Sequence, residues 1–371
     1  MNSKLGFGVL RFPVDDPNDL TTINIPKLIE MVDYYIAHGG NYFDNGYFYH
    51  NGCSEPAIRK AVVERYPREQ IHIATKMVCR VINSLDDAKK MFNEQLERLG
   101  VDYFDTYMMH DMRYEYYLKC KELGVLDYMQ EMIDAGVIKH FGMSYHGQAK
   151  ELNIILDNEK NIECCLLQLN YMDWEDEKVQ SRLNYEACVN HGVDVYVMEP
   201  CKGGMLAKPN EAVEKLFKEH DPNMSVASWA LRFAAHWPGV KRVFSGATEL
   251  SQLVDNMSYI DTVQDLTDEE LEMIWKARDM SLADITIPCT DCKYCMEQCP
   301  MNIATPRYFE LYNRWDHFGG TVLWQLQPEY EEVKKHFGGP RDCIGCGLCE
   351  KACPQQIKIT EWLKTVADRF E

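Results

Sequence analysis

Eight of the fifteen cysteines fall into two runs of one form: Cys289, Cys292, Cys295 and Cys299, then Cys343, Cys346, Cys349 and Cys353. Each run reads C-x2-C-x2-C-x3-C-P. Two-residue gaps let a tight turn present three thiolates to three corners of a cube, so the spacing points to a [4Fe–4S] cluster for each run. Gly345 and Gly347 would let the backbone come close to the inorganic sulfides. A second set of reactive types lies in the first third of the chain: Asp44, Tyr49, Lys76 and His110. Together they could reduce a carbonyl. A Tyr49 hydroxyl could protonate a developing alkoxide if a nearby ammonium lowers its pKa, and Lys76 supplies one. Asp44 would pair with Lys76 and orient it, and His110 would polarise the carbonyl oxygen.

In two-cluster bacterial ferredoxins the cysteine before proline serves the other cluster. On that pattern Cys289, Cys292, Cys295 and Cys353 hold cluster 1, and Cys343, Cys346, Cys349 and Cys299 hold cluster 2. Paired CxxC zinc sites are the alternative, but they use two pairs rather than two tetrads each closed by Cys-Pro. The other seven cysteines (Cys53, Cys79, Cys120, Cys164, Cys165, Cys188 and Cys201) are scattered, as small buried apolar residues are.

These side chains need a frame. Short apolar runs at 5–10, 41–44, 71–76, 105–110, 140–144, 166–171, 193–200 and 242–247 alternate with helix-period segments such as 26–40, 85–100 and 125–137. Several segments end in Gly, as helix stops do. Eight strand–helix units close naturally into a (β/α)8 barrel of the TIM type. An open doubly wound sheet is the alternative, but no GxGxxG follows the first strand. Catalytic groups in such barrels sit at strand carboxyl ends, which is where Asp44, Lys76 and His110 fall. After 266–280, read as a closing helix, the period breaks and the cysteines begin. The expected fold is thus α/β: a TIM barrel over 1–282 and a small ferredoxin-like iron–sulfur domain over 283–371. The Tyr, Trp and Phe residues of 308–324 are read as packing between the clusters and the barrel.

There are 39 Lys and Arg against 58 Asp and Glu, a formal net charge of −19. That argues against nucleic acid or an anionic membrane, both of which need a basic face. No apolar run of spanning length and no leader-like N-terminus is present, so a cytoplasmic chain is expected. Oxygen-sensitive clusters point to an anaerobe.

The chain resembles the aldo/keto reductase superfamily, in its branch with a C-terminal ferredoxin-like extension. The stretch FDNGYFYHNGCSE (43–55) carries the resemblance, with Asp44 and Tyr49 at the family spacing and Ser54-Glu55 following; the family lysine and histidine fall on Lys76 and His110. The resemblance implies a nicotinamide nucleotide bound in extended form, with its carboxamide near Ser144 and Gln168. It places Met198 where an aromatic usually stacks on nicotinamide, and Asp255 and Asn256 at the adenine. Tyr145 stands where the family often has Asn. The basic residues that hold a 2′-phosphate in the family fall on Gly246 and Gln252, neither of which pairs with a dianionic phosphate as Arg does. NAD, NADP and a flavin therefore all stay open. His50 and His146 are candidates for shaping the substrate pocket, Cys201 for a nucleophile, and Glu199 for a cofactor or substrate contact.

Three functions follow. In the first, the barrel acts on a small carbonyl or alcohol while the clusters exchange electrons with the site or a redox protein. A hydride carries two electrons and a cluster passes one, so a flavin would bridge them. In the second, the clusters brace an appendage with little core of its own. In the third, the barrel is vestigial and the protein is an electron-transfer or regulatory subunit.

Overall fold

The structure is a computed structural model that describes residues 3–16, 19–177, 179–260, 265–283, 286–289, 291–318 and 323–371. It divides into two units, Met1–Lys208 with Glu214–Lys276 and Pro209–Val213 with Ala277–Glu371.

In the first unit eight parallel strands pair in chain order and close into a barrel: β1 (Leu5–Gly8), β2 (Tyr42–Asp44), β3 (His72–Val78), β4 (Phe104–Met112), β5 (Ile138–Tyr145), β6 (Cys164–Gln168), β7 (Asp194–Met198) and β8 (Val240–Ser245). Closure is made by β1 on β8, with Leu5 opposite Val243 and Phe7 opposite Ser245, and this pairing excludes the open sheet. Two strands outrun their expected ends by two residues. β3 continues to Val78, because Met77 and Val78 go on pairing with β4, and β4 continues to Met112, which pairs with Tyr145 of β5. The β4–β5 register then shifts between Met109 and Met112, where Asp111 takes φ 52°.

The crossover helices follow from capping and period. Helix Leu85–Leu99 starts at Ser84, whose hydroxyl accepts from the Asp87 N–H at 3.1 Å. It stops at Gly100, which takes φ 67°. Such an N-cap contributes about 1 kcal/mol. Its buried stripe is Ala88, Met91, Phe92, Gln95 and Leu99, the i, i+3, i+4 spacing of one face, with a polar residue in the middle.

The barrel interior explains where the reactive groups point. Tyr42, Ala74, Met108, Cys164, Leu166 and Phe244 form one buried cluster, with Tyr196 and Met198 packed against it. Side chains two residues apart on a strand share a face. Stepping two residues toward the carboxyl ends leads from Tyr42 to Asp44, from Ala74 to Lys76, from Met108 to His110 and from Leu166 to Gln168. The candidate residues thus form the next inward layer at the barrel's carboxyl end.

The second unit is helical: Tyr294–Glu297, Thr305–Phe318, Leu323–His336, Leu348–Ala352 and Ile359–Phe370. Among the described residues its only strand-like pairing is the bridge of Ile303 to Gly338. It has a core of its own, in which Tyr308, Phe309, Tyr312, Leu326, Tyr330, Leu363, Val366 and Phe370 surround the buried Cys295 and Cys349. Tyr330 and Phe370 stack at 4.9 Å. This corrects the expectation of an appendage with little core, and it gives Tyr308, Phe309, Tyr312 and Trp315 a place within the unit. Among the described residues no helix is long and apolar enough to cross a membrane.

Candidate active site and cysteine cavities

Lys76 is fully buried, and each of its three N–H donors has a partner. Nζ donates to Asp44 Oδ2 at 2.7 Å, to the Asn45 backbone oxygen at 2.5 Å and to Tyr49 Oη at 3.4 Å. The Tyr49 ring stands 5.7 Å from the His110 ring, edge to face at 78°. All four candidates therefore meet at one point of the barrel mouth. His110 Nδ1 and Asp44 Oδ1 are buried without a hydrogen-bond partner.

Burial and charge compete here. Burial raises the Asp44 carboxyl above its ordinary value, with Lys76 pulling the other way. Burial also works to lower Lys76, but attraction to Asp44 and contact with Tyr49 outweigh it, so the ammonium is held above its ordinary value. The Tyr49 phenol is pushed up by burial, and Lys76 offsets this only in part. The net shift is opposite to the expected lowering, and it keeps Tyr49 protonated and able to donate. Burial, then Lys76, His146 and Arg80, drive His110 well below the ordinary histidine value, so it is neutral.

His50 and His146 are likewise lowered by burial, and His72 is pushed down to about 3. Unfolded histidines take up a proton near pH 6.5, whereas these hold out until lower pH. Below about pH 6.5 the unfolded chain binds more protons, and stability is lost as pH falls. The urea midpoint of the barrel, followed by tryptophan fluorescence, should be level above about pH 7 and drop between about pH 6.5 and 5. A level midpoint through that window would show that these histidines are not held neutral.

Several residues that position the site were not singled out in the sequence. Gln95 donates to the Lys76 backbone oxygen at 3.1 Å and to Glu55 Oε1 at 2.8 Å, and accepts from Tyr107 Oη at 2.7 Å. Thr75 Oγ1 donates to the same Glu55 oxygen at 2.7 Å. Glu55 thus belongs to a buried brace behind β3, while Ser54 Oγ donates to Asn45 Oδ1 at 2.9 Å. A polar residue on the apolar stripe of Leu85–Leu99 was the available signal for Gln95. Gly46 is the other omission. A Cβ there would lie 2.8 Å from the Tyr49 ring, so the ring would have to shift. Gly46→Ala should push the phenol off Lys76 and lower kcat by about a hundredfold, read in steady-state assays with nucleotide affinity as the control. An unchanged kcat would show that the placement of Tyr49 does not depend on Gly46.

The nucleotide candidates are placed as follows. Ser144 is buried, with its hydroxyl 2.9 Å from His146 Nε2. Gln168 donates its amide to Asp173 Oδ2 at 2.7 Å. Asp173 also takes Asn170 at 2.7 Å and Lys202. Met198 ends β7 against the interior cluster. On helix Leu250–Ile260, Asp255 accepts from Ser225 Oγ at 2.6 Å and Asn256 donates to Ser245 Oγ at 3.0 Å. Tyr145 faces away from Ser144, its hydroxyl bound to the Gln148 oxygen at 2.8 Å. His50 Nδ1 lies 2.7 Å from the Leu20 oxygen, which leaves its buried Nε2 without a partner. Cys201 is no activated nucleophile, since burial, Glu199 and Asp255 push its thiol up to about 12 against the pull of Arg11. Glu199 takes φ 55°, and its carboxylate accepts from the Gly203 N–H. Five of the seven scattered cysteines are buried.

The second unit gathers the other eight cysteines around two cavities. Cys289, Cys292, Cys295 and Cys353 line one of about 310 Å³, with Phe309, Ile357 and Ile359. Cys299, Cys343, Cys346 and Cys349 line one of about 320 Å³, with Ile303 and Leu363. The two runs share a backbone design. Gly345 and Gly347 take φ 69° and 70°, and Asp291 and Lys293, at the matching places, take 53° and 66°. These left-handed residues curl each CxxCxxC around its cavity. Burial pushes Cys295 and Cys349 up to about 11. Thiols so gathered give up their protons readily only to a metal, so the donor set fits iron–sulfur clusters.

Two family models match the chain: the aldo/keto reductase family over residues 4–279 and a 4Fe-4S dicluster domain over residues 288–358. The uncharacterized oxidoreductase YqkF of Bacillus subtilis (strain 168) is 24% identical over 284 residues, covering 67% of this chain and 86% of that protein. A probable voltage-gated potassium channel subunit beta of Arabidopsis thaliana is 25% identical over 276 residues, covering 64% of this chain and 83% of that protein. Among solved structures, aldo-keto reductase AKR11C1 from Bacillus halodurans superposes with a TM-score of 0.61 at 24% identity, over 74% of this chain and 92% of that one. An aldo-keto reductase from Klebsiella pneumoniae in complex with NADPH gives 0.58 at 16% identity, over 74% and 90%. At these identities the structural likeness speaks for the fold.

Proposed function

The chain belongs to the aldo/keto reductase family and is an oxidoreductase with a 4Fe-4S dicluster domain, and on that premise we propose that it interconverts a small carbonyl compound and its alcohol with a nicotinamide nucleotide, while its two [4Fe–4S] clusters exchange electrons with the site or a redox protein. The observation that carries the reading is the seat of Lys76, closed by Asp44 at 2.7 Å and leading to Tyr49 at 3.4 Å. The nucleotide, when bound, supplies or takes up the hydride. Tyr49 Oη gives its proton to the oxygen of the reduced carbonyl, and the Lys76 ammonium stabilises the phenolate left behind. Neutral His110 turns a ring nitrogen to the carbonyl oxygen and fixes its direction. Ser144 and the free carbonyl of the Gln168 amide hold the nicotinamide carboxamide, Met198 covers the ring, and Asp255 and Asn256 face the adenine. The nucleotide bound by the Klebsiella neighbour accords with this.

Cys289, Cys292, Cys295 and Cys353 hold one cluster and Cys343, Cys346, Cys349 and Cys299 the other, in a module we take to begin near residue 283. Because the unit has its own apolar core, the clusters are not its sole support, which favours a redox role over bracing alone. Such clusters suit the cytoplasm of an anaerobe. The test is an anaerobic titration of the iron-replete protein with NADPH and NADH, following cluster absorbance alongside turnover of a test carbonyl. Bleaching with turnover supports the whole reading. Turnover without bleaching leaves an ordinary reductase with structural clusters, and neither would overturn the reading.

A further inference from the structure

We infer that the substrate is a carbonyl compound that also carries an anionic group, carboxylate or phosphate, and that Arg80 and Arg113 receive that group at the rim of the barrel mouth. This rests on the carbonyl reading above and goes one step further, to the class of compound. The strands that supply the tetrad also supply the rim. Phe48 precedes Tyr49 in the loop after β2, and Arg80 lies in the short helical turn Cys79–Val81 that follows β3. Asp111 follows His110 on β4, and Arg113 stands where β4 gives way to helix Tyr114–Glu122.

These side chains meet. Arg80 Nη1 stands 3.9 Å from Asp111 Oδ2, and Arg113 Nε donates to Asp111 Oδ1 at 3.4 Å. The Arg80 guanidinium also lies over the Phe48 ring, 5.9 Å from its centre. Phe48 is exposed, and the Tyr49 ring next to it in the chain stands 5.7 Å from His110. A compound whose carbonyl meets Tyr49 and His110 thus has this rim as its outer neighbour. Two guanidiniums share one carboxylate there, which leaves a surplus positive charge in a chain of formal net charge −19. Among the described residues Asp111 is the only carboxylate that pairs with either arginine, and no hydrogen bond engages the Arg80 guanidinium. Its fork of N–H donors is therefore open to the bidentate contact that a carboxylate or phosphate takes. The Arg80 and Arg113 side chains are 53% and 49% exposed, so a solute can reach both.

Reduction of paired aldehydes by the anaerobic holoprotein, with NADPH and with NADH, tests this. The pairs are 4-carboxybenzaldehyde against its methyl ester, and glyceraldehyde 3-phosphate against glyceraldehyde. In at least one pair kcat/KM should favour the charged member roughly tenfold or more, and that pair tells carboxylate from phosphate. The preference should shrink as salt rises. Arg80→Gln combined with Arg113→Gln should cut the charged-to-neutral ratio by about tenfold, through KM rather than kcat. Asp111 takes φ 52°, which Asn also tolerates. Asp111→Asn frees both guanidiniums and should raise the ratio severalfold, a gain that a merely structural rim would not give. A urea midpoint shows whether each variant is folded. Ratios near one in both pairs, a ratio that the double arginine variant leaves unchanged, or a fall in Asp111→Asn overturns the anion site alone. A wild type that reduces none of the four aldehydes overturns the carbonyl reading and this inference with it.

Discussion

Tyr49→Phe is expected to lower kcat for carbonyl reduction by about 10²–10⁴-fold, the usual worth of a positioned general acid, with nucleotide dissociation constants unchanged. The phenol accepts from the Lys76 ammonium at 3.4 Å, and the substitution removes one oxygen while keeping the ring against His110. The pH profile adds a second readout. Burial lifts the Tyr49 pKa above the ordinary tyrosine value. Reduction, which needs the protonated phenol, should hold its rate with rising pH until that raised value is passed, and fall beyond it. His110 should contribute no inflection in the ordinary histidine range, because it is already neutral there. The variant should be slow throughout and lose the alkaline limb. A variant as active as the wild type would leave the barrel vestigial, or place its chemistry on another group.

How much of this was legible in the chain depends on how local each feature is. The eight strands were, because each is a short run bounded by turn residues, and the closed barrel followed from their alternation with helices. Strand ends were less so. Lys76 and His110 looked terminal because they are polar, yet β3 goes on pairing through Val78 and β4 reaches Met112, which pairs with Tyr145. The helices Thr305–Phe318 and Leu323–His336 went unread. Tyr308, Phe309, Leu311 and Tyr312 do follow a helical face, but bulky aromatics and the Pro328 inside the second helix mask the period. Asp44, Lys76 and His110 were legible from residue type at strand ends, and Tyr49 from its place five residues beyond Asp44. What holds them was not. The Asn45 carbonyl under Lys76 and the brace of Gln95 with Glu55 arise where β2, β3 and a crossover helix meet, and no spacing along the chain announces such a meeting. The direction of the Tyr49 shift was also hidden, since charge could be read in the sequence and the depth of burial could not.

The second large effect concerns the cysteines, and it discriminates the crossed ligand sets from uncrossed ones. Cys353 lines the cavity of Cys289, Cys292 and Cys295, and Cys299 that of Cys343, Cys346 and Cys349. The anaerobically reconstituted wild type should carry about eight irons with matching acid-labile sulfide. If the sets are crossed, Cys353→Ala combined with Cys292→Ala strikes one cluster twice, and about four irons remain as one intact cluster. Cys353→Ala combined with Cys346→Ala strikes both clusters and leaves none intact. Uncrossed sets would reverse the two results, because Cys353 and Cys346 would then serve the same cluster. Zinc in place of iron, with no sulfide, would remove the electron-transfer role altogether. The crossing also carries a structural consequence. With crossed sets each cluster would tie the first run to the second across the helices Thr305–Phe318 and Leu323–His336, so losing either one would loosen the closure between the runs. Both double variants should therefore lower the urea midpoint of the second unit, the one without clusters by more, even though the apolar core beneath them is untouched.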